Sequence, residues 1–332
     1  MLSVDKLLQR YPTEDSVRTF FESIIWPHGR HCVHCGFKTT YTIKGDKTRK
    51  GLYECNRCKG QFTVTTKTPM HSTKLSLLKW LMAIYYIVNS SKGIASVVLA
   101  RWIGVSQKTA WKMGHAIRVM MASESEIDNM LSGIVEVDES YVGGKSRIIK
   151  EHPKKRGKGT DKQLVFVATE RHGKVRSAPV KSDKISELKP VFHTFIDKKA
   201  HLMTDGNRAY PGIAKDYVGH DSVIHSALEF SRGQIHTNTV ESFNSLFKRE
   251  RMGVFHYMSK QHLTYYLSEA GFRWNHRKPK EKRMKNGNKK IVMVPIPVLD
   301  MIKSLLQKAL GIQLRRSKNG GIRILAESSP IF

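Results

Sequence analysis

Gly133-Ile-Val-Glu-Val-Asp-Glu-Ser-Tyr-Val142, stopped by Gly143-Gly144, is the stretch on which the reading of this chain turns. Its alternating, β-branched pattern predicts a strand. Alternation places Glu136 and Asp138 on one face, Val137 and Glu139 on the other. A carboxylate inside an apolar strand is expensive unless it is paired or bound to a metal. Downstream, Gln163–Thr169 and Val175–Lys181 predict a hairpin around His172-Gly173. Residues 186–199 predict a helix that buries Leu188, Val191, Phe192, Phe195 and Ile196. A short strand, His201-Leu-Met-Thr, then ends at Asp205-Gly206, and residues 221–224 predict another. An Asp-Gly pair more often starts a turn than holds a ligand.

The next element is His236-Thr-Asn-Thr-Val-Glu-Ser-Phe-Asn-Ser-Leu-Phe-Lys-Arg-Glu-Arg251, with Val240, Phe243, Leu246 and Phe247 at helical spacing. Glu241 and Lys248 stand seven residues apart, so they project from nearly one face. Asn238 with Glu241 also fits a capping box that needs no function. The order of elements weighs against that bland reading. A strand with an aspartate, a hairpin, a helix, a second strand ending in an aspartate and a helix with a glutamate can bring three carboxylates together. Hard cations such as Mg²⁺ take oxygen ligands. A pair of them can activate an attacking oxygen and stabilise a leaving one on a phosphodiester.

Upstream lie Cys32-Val-His-Cys35-Gly36 and, after 19 intervening residues, Cys55-Asn-Arg-Cys58-Lys-Gly60. Two CxxC turns so spaced predict a four-thiolate zinc site. Its shell is closed and therefore structural, without His31 or His34. Residues 39–43, 51–54 and 61–65 predict the strands of a zinc ribbon. A redox dithiol or buried free cysteines are the alternatives, and neither accounts for two CxxC turns followed by glycine. Residues 2–26 predict a helical lead-in, and 75–88 a buried helix. Helices over 96–103 and 106–118 meet at Gly104-Val105, with Ser106 as N-cap. Helix, glycine turn and helix form a helix-turn-helix pattern, in which Gln107, Lys108 and Lys112 would face DNA. A plain helical hairpin has the same pattern.

The chain holds 57 Lys and Arg against 28 Asp and Glu, a net charge of +29 over 332 residues. That imbalance favours a polyanion as partner, with nucleic acid first. The longest apolar run, residues 80–91, is too short to span a bilayer. Together with an N-terminus that lacks an apolar signal segment, it leads to the expectation of a cytoplasmic, nucleoid-associated protein without a membrane partner. Lys150-Glu-His-Pro-Lys-Lys-Arg-Gly-Lys-Gly159 is a basic loop, solvated or DNA-contacting. Residues 280–290 read as a linker and 297–310 as an amphipathic helix. From 244 to 332 there are 19 basic residues against five acids, so this tail is expected to touch DNA.

The ordered motifs resemble bacterial insertion-sequence transposases of the DDE class, in the ISXO-like group. The residues carrying the likeness are the CxxC pairs, Val137-Asp-Glu-Ser-Tyr-Val-Gly-Gly144, Thr204-Asp-Gly206 and His236-Thr-Asn-Thr-Val-Glu241. Lys248-Arg249, Gly253-Val-Phe-His256, Ser259-Lys-Gln-His-Leu263 and Phe272-Arg-Trp-Asn-His-Arg277 extend it. The resemblance implies an α+β or α/β multidomain chain. Its parts would be a lead-in (1–28), a zinc ribbon (29–68), a helix-turn-helix unit (73–122), an RNase H-like mixed-sheet catalytic core (130–278) and a basic linker with a helical tail (279–332). It implies Asp138, Asp205 and Glu241 as ligands of two Mg²⁺ or Mn²⁺ ions, one structural Zn²⁺, and Lys248 as a DNA contact, with Arg249 beside it. The implied activity cuts terminal inverted repeats in double-stranded DNA and joins the freed 3′-hydroxyls to target DNA, within a homodimer or larger synaptic assembly. Two alternatives remain open: a non-catalytic DNA-binding regulator, and a nuclease without strand transfer. Tyr141, close to Asp138, would define another class as a nucleophile, but covalent catalysis needs a base beside the phenol.

Overall fold

The structure, a computed structural model, describes residues 2–45, 49–126, 130–144, 160, 162–223, 231–284, 287–316 and 322–326. The basic loop 150–159 lies outside the described residues, as does 224, the last position of the strand expected over 221–224. The chain divides into two compact units, residues 1–126 with 295–332 and residues 127–294.

In the first unit, α1 (Val4–Arg10) starts at Ser3, whose hydroxyl accepts the Lys6 N–H. Helix α2 (Glu14–Ile25) starts at a capping box between Thr13 and Ser16. Val17, Phe20, Phe21 and Ile24 form its buried stripe. The ribbon follows as β1 (Thr40–Thr42), β2 (Tyr53–Cys55) and β3 (Gln61–Phe62), an antiparallel sheet in that order. The rings of Trp26, Tyr53 and Phe62 pack together beneath it at 5.8–6.0 Å. Helix α3 (Leu77–Asn89) is buried on most sides, as its composition requires. The Glu14 carboxylate reaches from α2 to the first turn of α3, accepting the N–H groups of Leu77 at 2.7 Å and Leu78 at 3.2 Å. Helix α4 (Ser96–Ile103) ends at Gly104, whose left-handed backbone (φ +63°) suits glycine and turns the chain into α5 (Gln107–Glu126). The Ser106 hydroxyl accepts the Thr109 N–H at 3.2 Å. Helix α5 runs past Arg118, where the periodicity ends, because Val119, Met120 and Met121 are buried as well.

The second unit is built on β4 (Ile134–Val142), β5 (Gln163–Glu170) and β6 (Val175–Val180), joined antiparallel. Helix α6 (Ile185–Phe195) then leads to β7 (His201–Thr204), which pairs parallel to β4. After the short α7 (Tyr210–Ala214), β8 (Gly219–Ser222) adds parallel to β7. The five-stranded mixed sheet has the order β6-β5-β4-β7-β8. A two-stranded turn, β9 (Ser231–Arg232) and β10 (Ile235–His236), precedes α8 (Asn238–Glu250). A π-helical turn over Arg251–Phe255 and α9 (Leu263–Asn275) follow.

Alternation along β4 and β5 gives the sheet two apolar faces. Val135, Val137, Phe166 and Ala168 pack with Leu188 and Phe192 of α6 and Tyr210 and Ile213 of α7. Val142, Val165 and Val167 pack with Val240, Phe243 and Phe247 of α8 and Leu267 and Ala270 of α9. Helices thus cover both sides, and α8 lies directly on the carboxylate-bearing face of β4.

Residues 280–290, read above as a linker, instead belong largely to a two-stranded ribbon of β11 (Arg277–Arg283) and β12 (Lys289–Pro295). The charge-rich sequence hides it, because a ribbon exposed along most of its length needs little apolar alternation. Residues from 295 onward belong to the first unit. There α10 (Val298–Gln307) packs against α2, α3 and α5 through Val298, Met301, Ile302, Leu305 and Leu306. A last antiparallel pair, β13 (Ile312–Arg316) and β14 (Ile322–Ala326), follows.

Candidate active site

The register of the sheet sets two of the expected carboxylates side by side. Strand β4 pairs with β7 from Ile134↔His201 to Glu136↔Met203. Two residues further along each chain come Asp138 and Asp205, where β7 has just ended. Helix α8 crosses the same face of β4 and contributes Glu241 from its first turn.

Asp138 Oδ1 accepts the Glu139 N–H at 2.8 Å, and Oδ2 accepts Asn244 Nδ2 at 2.8 Å. Burial pushes its carboxyl up to about 6, and the negative charges of Asp205 and Glu241 add to that rise. The three carboxylates therefore share one electrostatic neighbourhood. Asp205 Oδ1 accepts the Asn207 N–H at 3.1 Å, and Glu241 Oε1 accepts the Thr237 hydroxyl at 3.0 Å. A fourth acid stands close by. Glu139 is raised to about 7, first by burial and also by the charges of Asp205 and Asp138, although Tyr210 and Asn207 donate to it at 2.7 and 3.2 Å. Asn207 thus touches both Asp205 and Glu139. Tyr141 packs into the opposite core, with α6 and α7.

Sequence reasoning missed what holds α8 in place. Its N-cap is Thr237, which makes no capping hydrogen bond with its side chain, and Asn238 is already the first helical residue. The capping box expected from Asn238 and Glu241 does not form. Glu136, two residues before Asp138 and fully buried, takes over that work from the sheet. Its Oε2 accepts the Thr239 N–H at 2.6 Å and the Val240 N–H at 3.1 Å. Its Oε1 accepts the Thr239 hydroxyl at 2.9 Å and Arg171 Nε at 2.9 Å. Arg171 also donates to the carbonyl of Gln234 at 2.8 Å and that of His236 at 3.2 Å. A buried anion at the positive end of a helix is favourable. The signal for it was legible: a carboxylate in an apolar strand demands a partner. Asn244 could also have been found, since it lies one turn from Glu241 on the way to Lys248.

Lys248 and Arg249 are exposed on α8. Among the described residues no carboxylate forms an ion pair with Lys248. Arg249 Nη1 donates to Ser245 at 3.0 Å. At the other candidate DNA contacts, Gln107, Lys108 and Lys112 are exposed at the start of α5, and Gln107 is tied to Ser96 at 2.9 Å.

In the ribbon the four cysteine sulfurs all lie within 4.8 Å of one another, with Cys32–Cys58 and Cys35–Cys55 at 3.6 Å. Tetrahedral zinc with bonds of about 2.3 Å requires sulfurs about 3.8 Å apart, so the cradle fits the ion. His34 Nε2 lies 3.1 Å from the Gln61 carbonyl. A Cβ at Gly60 would come within 2.8 Å of His34 and 3.3 Å of the Cys58 sulfur, which accounts for glycine after the second CxxC. The triad is a different donor set, oxygen only. Burial and then the neighbouring negative charges raise the Asp138 carboxyl, and a divalent cation would relieve that crowding. Asp138, Asp205 and Glu241 thus fit Mg²⁺ or Mn²⁺ in chemistry.

A mixed sheet carrying clustered acids, joined to a four-cysteine ribbon, marks a class that comparison makes explicit. Residues 130–275 match the ISXO2-like transposase domain, and residues 12–61 match the transposase zinc-ribbon domain. These two segments carry the domains of one transposase family. A relative described as an uncharacterized protein in transposable element ISH50, from Halobacterium salinarum (strain ATCC 700922 / JCM 11081 / NRC-1), is 28% identical over 296 residues. The alignment covers 84% of this chain and 97% of that protein. A solved simian T-cell lymphotropic virus intasome, in complex with PP2A regulatory subunit B56 gamma, matches over 54% of this chain and 69% of its own. At 12% identity and a TM-score of 0.25 it carries no argument here. Among the described residues no helix is long and apolar enough to cross a membrane.

Proposed function

We propose that this chain is a DNA transposase that binds terminal inverted repeats, cleaves the element ends and transfers the freed strands to target DNA. What supports the reading is that the charges of Asp205, just past β7, and of Glu241 on α8 act on Asp138 of β4, in a segment that matches a transposase domain. In this reading the strand order 3-2-1-4-5 with helices on both faces is RNase H-like, residues 73–122 are a helix-turn-helix reader, and Gln107, Lys108 and Lys112 contact DNA.

Water attacks the phosphorus at the element end, the bond to the 3′-oxygen breaks, and a 3′-hydroxyl is released. That hydroxyl attacks a target phosphodiester, forming one phosphorus–oxygen bond and breaking another. Two Mg²⁺ or Mn²⁺ ions, when bound, would activate the attacking oxygen and stabilise the leaving one. The protein's own part is to hold the three carboxylates in register, with Asn244 orienting Asp138 and Glu136 fixing the helix that carries Glu241. Lys248 supplies a cation for the DNA beside the acids. No covalent protein–DNA intermediate is involved, which agrees with Tyr141 packing into the core.

The test is cleavage and joining of inverted-repeat substrates by D138N and E241Q with Mg²⁺. Both should bind DNA like the parent and lose cleavage and joining by at least about a hundredfold, the scale of a lost catalytic group. Variants that cut and join like the parent would overturn the triad. Cutting without joining of precut ends would identify a nuclease instead.

A further inference from the structure

Helix α8 presents a second working face. Glu241, Asn244 and Lys248 fall on one stripe; Asn238, Ser242, Leu246 and Arg249 fall on another. At about 100° per residue the two stripes lie roughly 120° apart around the axis, on either side of the buried Phe243 and Phe247. The second stripe forms a wall of a cleft of about 560 Å³. The β5–β6 turn at His172-Gly173, Trp274 near the end of α9, Arg277 at the start of β11, and Lys290 and Met293 of β12 complete it.

The lining contains Arg249, Arg277, Lys290 and His172 but no acid. Among the described residues none of Arg249, Arg277 and Lys290 pairs with a carboxylate. The Arg277 guanidinium lies 3.5 Å over the Trp274 ring, and its Nε donates to the Trp274 carbonyl at 2.9 Å. Burial pushes its pKa down to about 10. Three cations facing one concave space repel each other, and an external anion turns that repulsion into binding energy. Asn238 adds a neutral amide, the Thr239 and Ser242 hydroxyls being donated to Glu136 and to the Asn238 carbonyl, while Leu246, Trp274 and Met293 offer an apolar floor. The basic character continues outward. The ribbon strands carry Arg277, Lys278, Lys280, Lys282, Arg283, Lys289 and Lys290 against the single acid Glu281.

We propose that this cleft, continued by the β11–β12 ribbon, is a second DNA-holding site that grips the sugar-phosphate backbone. It is distinct from the carboxylate face and from the candidate helix-turn-helix reader. The cationic groups and the Asn238 amide would meet the phosphates and the apolar floor the sugar edges, positioning the duplex without reading its bases. The inference rests on the transposase reading, because it takes the polyanion to be DNA.

The test uses the full-length, zinc-loaded protein and a labelled duplex of arbitrary sequence, with binding followed by fluorescence anisotropy from about 50 to 200 mM salt. R249A/K290A should weaken binding and flatten the plot of log K against log salt by about 1.8, since each phosphate contact contributes about 0.9. R249E/K290E should weaken binding further. R277M tests the stacked guanidinium, with circular dichroism confirming the fold. K198A/K215A removes the same charge from exposed lysines elsewhere and should leave the slope at the parental value. Parental binding and slope in R249A/K290A, or an equal fall in the control, would overturn the cleft site. That result leaves the transposase reading intact if E241Q is still dead in cleavage. A parent protein that binds no DNA would overturn both.

Discussion

Replacing Glu136 should loosen the helix that carries Glu241 without touching DNA or metal. Four donors converge on its carboxylate, two backbone N–H, one hydroxyl and one guanidinium N–H, at 2.6 to 3.1 Å, with His236 Nδ1 at 3.3 Å. An isosteric amide answers them with one oxygen and turns its NH₂ toward another donor. Removing one partner of a buried ion pair costs about 3–5 kcal/mol, because the other charge stays buried. Arg171 retains the Gln234 and His236 carbonyls, so the lower end, about 3 kcal/mol, is expected for E136Q. That is a large share of a typical domain stability of about 5–15 kcal/mol. Amide hydrogen exchange reads the effect where it occurs: the Thr239 and Val240 amides should exchange roughly 100-fold faster, since about 1.4 kcal/mol is tenfold. Cleavage should fall with it, as a displacement of about 1 Å at a reacting group costs on the order of 100-fold. In a cycle with R171M, the double variant should lose clearly less than the sum of the singles. Parental protection of these two amides in E136Q, or strict additivity with R171M, would refute the clamp.

Three further outcomes follow from the same geometry. C58S, or a strong chelator, should remove about one zinc per chain and unfold the ribbon, measured by metal analysis and near-ultraviolet dichroism; a metal-free protein with an intact ribbon would contradict the cradle. Folding raises the Asp138 carboxyl from 3.8 to about 6, so the folded state binds the extra proton and loses stability as pH rises through that window. Without added Mg²⁺ or Mn²⁺ and with the zinc retained, D138N should therefore melt above the parent at pH 8 and equal to it at pH 4, and the reverse order would be wrong for a crowded acid. N244L should leave DNA binding unchanged and lower cleavage by about 10- to 100-fold, as loss of an orienting partner does; parental cleavage would remove Asn244 from the site.

Much of this protein was legible in its residues because local rules act on local sequence. Two CxxC turns converge on one ion whatever surrounds them, and the four sulfurs lie within 4.8 Å as that spacing demands. Alternation put Glu136 and Asp138 on one face of β4, and the 3.6-residue period buried Val240, Phe243 and Phe247. The unusual cost of a carboxylate in an apolar strand was legible too, but not its resolution. Glu136 is answered by α8, more than 100 residues away, and only the packing of that helix on β4 supplies the donors. The same long-range contact made a capping box at Asn238 unnecessary. The ribbon at 277–295 escaped notice because exposed strands carry no burial pattern, and the cleft beneath it joins residues from 172 to 293. Residue type and period determined the elements and the donor chemistry. Only tertiary structure decided which carboxylate holds the helix and which face of α8 is left for a second anion, because burial and charge crowding arise where distant segments meet.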